Sequence, residues 1–138
     1  MEIIKEELKK YQSILDLGCG KDSPLCREKR RCEITGVDNY EISKVHDKFY
    51  KNDVLNINQI FKENSFDCVM AMDLIEHLTK EEGIELIEKM IKIAKEKIII
   101  YTPNGFVDQD AFDGNPNQIH KSGWDYKEMQ NLGFKVWG

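Results

Sequence analysis

The stretch from Ile14 to Gly20, Ile-Leu-Asp-Leu-Gly-Cys-Gly, limits what this chain can fold into more than any other. An apolar run ends around a carboxylate, Asp16, and breaks into two glycines, Gly18 and Gly20. This predicts a buried parallel strand that turns sharply into a loop where backbone comes close to a ligand. Beyond the loop, Ser23 and Pro24 give a helix-start signal, Ser as the cap and Pro at the first helical position. Strand, glycine turn and helix open a nucleotide-binding α/β unit.

The remaining segments repeat the alternation. Residues 2–11 read as a short amphipathic helix with Ile4, Leu8 and Tyr11 on one side. The first strand spans about 13–17, and a short helix about 24–30. Glu33-Ile-Thr-Gly-Val37 is a second strand ending in Asp38, and Lys48-Phe-Tyr-Lys51 a third, followed by Asn52 and Asp53. Residues 41–47 are ambiguous. A short helix is predicted over 56–62, then a fourth strand, Phe66–Met72, ending in Asp73. Thr79 and Glu82 have capping-box spacing and start the longest helix, whose stripe of Ile84, Ile87, Met90, Ile91 and Ala94 is assigned to the core. Lys97–Tyr101 is the fifth strand, ended by Pro103. Residues 103–123 form a long loop, of the kind that is a lid, a binding loop or disordered. Asp125 and Glu128 cap a last helix ended by Gly133, and Phe134–Trp137 reads as a sixth strand. The expected architecture is a Rossmann-like, doubly wound, mostly parallel sheet in one domain covering residues 1–138.

Length and charge narrow the function classes. A chain of 138 residues holds one core. Its 41% hydrophobic and 33% charged residues suit a globular protein. No run approaches the ~18 apolar residues that cross a bilayer, and the acidic N-terminus lacks a signal-peptide layout, so a cytoplasmic protein without a membrane partner is expected. The net charge of −5 argues against a nucleic-acid partner. The four cysteines form no C-x-x-C pair and the histidines are scattered, so no metal site is expected and the thiols are read as reduced.

Four carboxylates, Asp16, Asp38, Asp53 and Asp73, fall at or near strand ends. In an open parallel sheet the ligand lies beyond those ends. Asp38 comes 18 residues after Gly20, near the ~20 expected of an acid that accepts ribose hydroxyls. A pyrophosphate cofactor would want a third glycine where Ser23 stands, and the bracketing Asp16 and Asp22 would repel it. These acids suit a ligand that is cationic near the loop, such as a sulfonium bearing an amino group.

Together, Ile14–Gly20, Gly36-Val-Asp38, Asp53 and the run Phe66 to Leu78 resemble the class I S-adenosylmethionine-dependent methyltransferases. The resemblance covers residues 13 to about 106. It implies S-adenosylmethionine as cofactor and S-adenosylhomocysteine as product. Asp16, Gly18 and Gly20, with Cys19 among them, would hold the methionine part. Asp38, with Asn39 beside it, would accept the ribose hydroxyls. Asp53 would receive the adenine amino group with Val54 against the ring, and Asp73 would sit at the methyl-transfer mouth. Two features depart from the family pattern. Asp22 stands where many members have a third glycine. The family sheet also ends in a seventh, antiparallel strand, whereas this chain stops at Gly138, straight after the sixth. A truncated or minimal form, as a monomer or weak homodimer, is expected over an edge completed by a second chain.

Methyl transfer from a sulfonium needs alignment and exclusion of water, and a base only where the acceptor loses a proton. His77 and His120 are the candidate bases. Phe106, Phe112 and Trp124 either line an acceptor pocket or pack the loop down. Asp73-Leu-Ile-Glu stands where methylases of amide or base nitrogens often carry Asn/Asp-Pro-Pro-Tyr, so DNA and protein-glutamine acceptors are disfavoured. The expected reaction is methylation of an O or N atom of a small molecule. A non-catalytic cofactor-binding module and a nicotinamide-dependent oxidoreductase are the alternatives.

Overall fold

A computed structural model of the chain describes residues 2–23, 26, 32–111 and 114–138. Among the described residues, five strands form one parallel sheet: β1 (Ser13–Leu17), β2 (Glu33–Asp38), β3 (Lys48–Lys51), β4 (Phe66–Met72) and β5 (Ala94–Tyr101), in the order β3-β2-β1-β4-β5. The helices are α1 (Glu2–Leu8), α2 (Ile57–Ile60), α3 (Lys80–Ile93) and α4 (Tyr126–Asn131). Among the described residues, no helix is long and apolar enough to cross a membrane.

β1 is central because both of its faces are covered, so its side chains can be apolar on each. Leu15 and Leu17 join Val69, Ala71, Leu86, Met90 and Ile93 on the α3 side. Ile14 joins Leu8, Tyr11, Ile34, Cys68 and Met70 on the α1 side. Burial of each such Leu or Ile side chain is worth about 1.5–3 kcal/mol. Asp16 alternates with Leu15 and Leu17, so it falls on the α1 side of the sheet with Ile14. Strand order reverses between β1, which leads on to β2 and β3, and β4, which leads on to β5. The crevice beyond their carboxyl ends is where such sheets bind ligands.

The capping box forms: Glu82 N–H donates to Thr79 Oγ1 (3.2 Å) and Thr79 N–H to Glu82 Oε1 (3.0 Å). Asp125 caps α4 through Glu128 N–H at 2.8 Å, and Gly133 follows at φ 99°. Several elements differ from the sequence expectation. Residues 134–137 are not a strand. Phe134 and Val136 do turn inward, half-buried against Ile75, Ile87, Trp124 and Met129, but the segment does not pair with the edge strand β5, which among the described residues is laddered to β4 alone. Alternation selects a face, and a strand also needs a neighbour. The buried stripe of α3 is Gly83, Leu86, Ile87, Met90 and Ile93. Ile91 is 59% exposed, and Ala94 already begins β5, three residues earlier than expected. α1 stops at Leu8, and the 56–62 helix shrinks to α2 after a 3₁₀ turn, Val54–Asn56. The helix expected over 24–30 falls on residues outside the described ones, Cys26 excepted.

Candidate cofactor and acceptor site

Both loop glycines have left-handed backbone, φ 64° at Gly18 and at Gly20. At Gly18 a side chain would be strained by the backbone and would also push on Leu74, whose Cδ1 would stand 2.8 Å from the added Cβ. Gly18 N–H and Cys19 N–H donate to Val37 O at 2.8 and 3.2 Å, folding the loop against the end of β2. There Asp38 gathers three main-chain donors: Gly20 N–H on Oδ2 (3.0 Å), and Tyr40 N–H (2.9 Å) and Glu41 N–H (2.8 Å) on Oδ1. Asp38 therefore organises the loop. Cys19 is buried and its thiol is pushed well above the usual range by desolvation, reinforced by Asp16 and Asp38.

Asp16 is 4% exposed and held by a histidine that sequence reading passed over. Its Oδ2 lies 2.8 Å from His46 Nε2, and His46 Nδ1 lies 2.5 Å from Ser43 Oγ. Ser43 Oγ also accepts from Val45 N–H and His46 N–H, each at 3.3 Å. With those two donors on its lone pairs, the Ser43 hydroxyl donates to Nδ1, and the ring Nε2–H donates to Asp16. Burial raises the Asp16 pKa, and His46 opposes the rise. Gly36 makes the pairing possible. It stands opposite Asp16 in the ladder, and a Cβ there would come within 2.9 Å of the His46 ring and 2.7 Å of Cys19 Sγ. A glycine inside a strand signals such a close approach, and it was the one available clue to His46.

The β3 and β4 ends supply the other acids. Asp53 caps the Val54–Asn56 turn through Leu55 N–H (2.9 Å) with its side chain at the surface, and Val54 is buried beside it. Asp73 follows β4 at φ 50°, and its main chain is tied to β5 by Asp73 N–H to Tyr101 O at 2.8 Å. Desolvation raises its pKa, offset by His77 and His120. The two histidines expected to act as bases are neighbours, with ring centroids 4.7 Å apart. Beside them lies Glu76, 2% exposed, which sequence reading had left aside.

The long loop reaches this corner. Lys121 N–H and Ser122 N–H donate to the Glu76 main-chain oxygen (2.8 and 3.2 Å), and Ser122 Oγ–H to Leu78 O (2.7 Å). Trp124, 1% exposed, packs in the space that Gly83 leaves beside α3. It is therefore an anchor of the loop and no pocket wall. Phe106 is 60% exposed, and Phe112 lies outside the described residues. Asn39, at the tip of β2, accepts from Asn117 Nδ2 at 2.7 Å.

The donor set fits a sulfonium nucleoside. Carboxylates surround the loop, and the one cation within residues 18–23, Lys21, is turned to Glu41 at 3.6 Å. A pyrophosphate would find no cationic clamp among these residues. A methyltransferase domain family model matches residues 2–111. The chain belongs to the class I S-adenosylmethionine-dependent methyltransferases. The cofactor of this family is S-adenosylmethionine, and Asp16, Gly18, Gly20 and Asp38 lie together at the β1–β2 end of the sheet, with Asp53 just past β3. The chain is 33% identical over 90 residues to pavine N-methyltransferase of Thalictrum flavum subsp. glaucum, covering 56% of this chain and 25% of that protein. It is 36% identical over 93 residues to the sterol 24-C-methyltransferase erg-4 of Neurospora crassa, covering 56% and 24%. It thus spans about a quarter of the length of these curated relatives. A crystal structure of a methyltransferase of the same cofactor class from Archaeoglobus fulgidus shares 25% identity and a TM-score of 0.65, over 97% of this chain and 69% of that one.

Proposed function

We propose that this domain transfers the methyl group of S-adenosylmethionine to an oxygen or nitrogen atom of a small molecule, held between the glycine loop and the His77–His120 pair. One observation carries the acceptor class. Asn117 is bonded to Asn39 at the tip of β2, while Ile119 O meets His77 Nδ1 (3.3 Å) beyond β4. β1 lies between β2 and β4, so residues 117–120 cross above its carboxyl end. A roof over the cofactor end leaves room for a compact acceptor and hinders a polymer. The net charge of −5 adds repulsion for a polyphosphate chain. Transfer is an in-line displacement: the bond to the acceptor forms as the S–CH₃ bond breaks, leaving a neutral thioether. The protein's work is alignment and exclusion of water, and the histidine pair is where the acceptor atom is activated.

Calorimetric titration with S-adenosylhomocysteine tests the cofactor half. Micromolar-range binding is expected, weakened on the order of a hundredfold in Asp38→Ala, whose fold is checked by thermal melting. No binding by the folded wild type would overturn the reading. Incubation with methyl-labelled cofactor in cell extract tests the acceptor half. Label is expected in the small-molecule fraction, and label in RNA or protein would overturn that class.

A further inference from the structure

Among the buried side chains described, only Thr35 Oγ1 and Glu76 Oε1 lack a hydrogen-bond partner. Glu76 is held in place all the same, because its other oxygen, Oε2, accepts from Thr102 Oγ1–H at 2.7 Å. The orphaned oxygen points to the histidine pair, with His77 Nε2 at 3.8 Å. Both rings are oriented from behind by main-chain carbonyls. His77 Nδ1 lies 3.3 Å from Ile119 O, and His120 Nδ1 2.5 Å from Val107 O. A carbonyl only accepts, so each Nδ1 carries a proton, and a ring with that one proton keeps its lone pair on Nε2. Ligand atoms of Glu76, His77 and His120 lie within 4.8 Å of one another. Three lone pairs thus converge with no donor among them, an arrangement that is costly unless something positive sits between them.

We propose that Glu76, His77 and His120 form a binding site for one divalent first-row transition ion at the acceptor mouth. Two imidazoles and one carboxylate suit zinc, manganese, cobalt or iron, whereas magnesium and calcium prefer oxygen-only shells. Metal–ligand bonds of ~2.0–2.2 Å put the three donors roughly 3–3.5 Å apart, so the ion draws them together by about an ångström. The carbonyls behind the rings and Thr102 behind the carboxylate are the outer contacts that such sites use to fix their ligands. Three protein ligands leave coordination positions open. On the reading of the preceding section, an acceptor hydroxyl fills one of them and releases its proton to water on coordination. Its oxygen then faces the methyl group.

The chain has three histidines, and the third, His46, is committed to Asp16 and Ser43 and serves as an internal control. The full chain is stripped with chelator and titrated with Co²⁺ while the histidine ring resonances are followed by NMR. At one equivalent, His77 and His120 are expected to shift or broaden and His46 to stay in place, with millimolar Mg²⁺ unable to reverse the change. His120→Ala, a change at the half-exposed ligand, is expected to weaken Co²⁺ at least a hundredfold. Thr102→Val, outside the ligand set, is expected to weaken it about tenfold. Unmoved histidine signals at one equivalent, or binding untouched by His120→Ala, would overturn the site; the second result would point to the cysteine thiols instead. S-adenosylhomocysteine titration of the same sample separates the two proposals. Metal bound without the nucleoside leaves this site standing and removes the methyl-transfer reading, and the reverse result removes only the metal.

Discussion

Two buried carboxylates stand beside histidines, one on β1 and one just past the end of its neighbour β4, and they differ in what is left unbonded. Asp16, on β1, meets His46 at 2.8 Å, and that ring passes on to Ser43. Glu76, just past β4, comes no nearer than 3.8 Å to His77 and keeps an oxygen without a partner. The first arrangement is closed, since every lone pair of the Ser43–His46 relay is used, and it works by holding the glycine loop in shape. The second is open, since its lone pairs face one another. Residue types do not separate the two; hydrogen-bond completeness does. A closed polar chain in a core contributes stability, whereas an open one costs stability unless a ligand completes it.

The largest effect should come from opening the closed side. His46→Leu leaves the Asp16 carboxylate buried without its partner, and removing one member of such a pair costs about 3–5 kcal/mol. Urea unfolding at pH 7 measures this. A loss under ~1 kcal/mol would mean that Asp16 is already solvated and that the two sides do not differ as argued. The loss also depends on pH. The folded-state pKa of Asp16 is raised by burial, and His46 opposes the rise, while Asp38 adds to it. A raised acid binds its proton more tightly folded than unfolded, so stability falls as pH climbs from the ordinary carboxylate value through the folded one. Without His46 that interval extends upward. The variant's deficit should therefore be smaller near pH 4 than at pH 7.

Ser43→Ala is the milder cut. It leaves His46 Nδ1 without a donor and strips Val45 N–H and His46 N–H of their shared acceptor. About 1–3 kcal/mol is expected for buried groups left unpaired. Asp16 stays paired, so the pH dependence should keep its wild-type slope. A slope that steepens as in His46→Leu would show that Ser43 fixes the ring's position as well as capping it.

Local pattern made the sheet readable and left the two histidine corners half hidden. The bounds of β1 and β4 follow from short, mostly apolar runs with a turn residue at each end, those of β3 from two aromatics between Asp47 and Asn52, and the acids at their ends followed from the register. His46 lies in 41–47, a stretch without periodicity, and bonds a residue 30 positions away. Only Gly36 hinted that something presses on β2 there. Glu76 sits next to His77, yet an acid just before a helix reads as a favourable first-turn charge. Its burial comes from the loop that Lys121 and Ser122 bring back from far along the chain, which no local window contains. The same limit explains the missing sixth strand and the exposed Ile91: faces follow from periodicity, and partners do not.

The smallest stability effect is expected where the open side is changed most conservatively. Glu76→Gln keeps an amide oxygen for Thr102 Oγ1–H and replaces the unpartnered Oε1 with an amide nitrogen. That nitrogen donates, and the histidine Nε2 lone pairs beside it accept. In chelator the substitution replaces one of the three facing acceptors with a donor, so unfolding free energy should change by less than ~1 kcal/mol, or rise. With Co²⁺ or Zn²⁺ present, the wild type should gain stability through binding to the folded state, and the variant should gain far less. Thermal melting with and without metal compares the two directly. If Glu76→Gln is as costly in chelator as His46→Leu, Glu76 is a structural carboxylate whose partner is a buried water, and the open corner is closed after all. If it is neutral in chelator and blind to metal, the corner is tuned for a ligand whose chemistry the amide also satisfies, and the acceptor itself becomes the candidate.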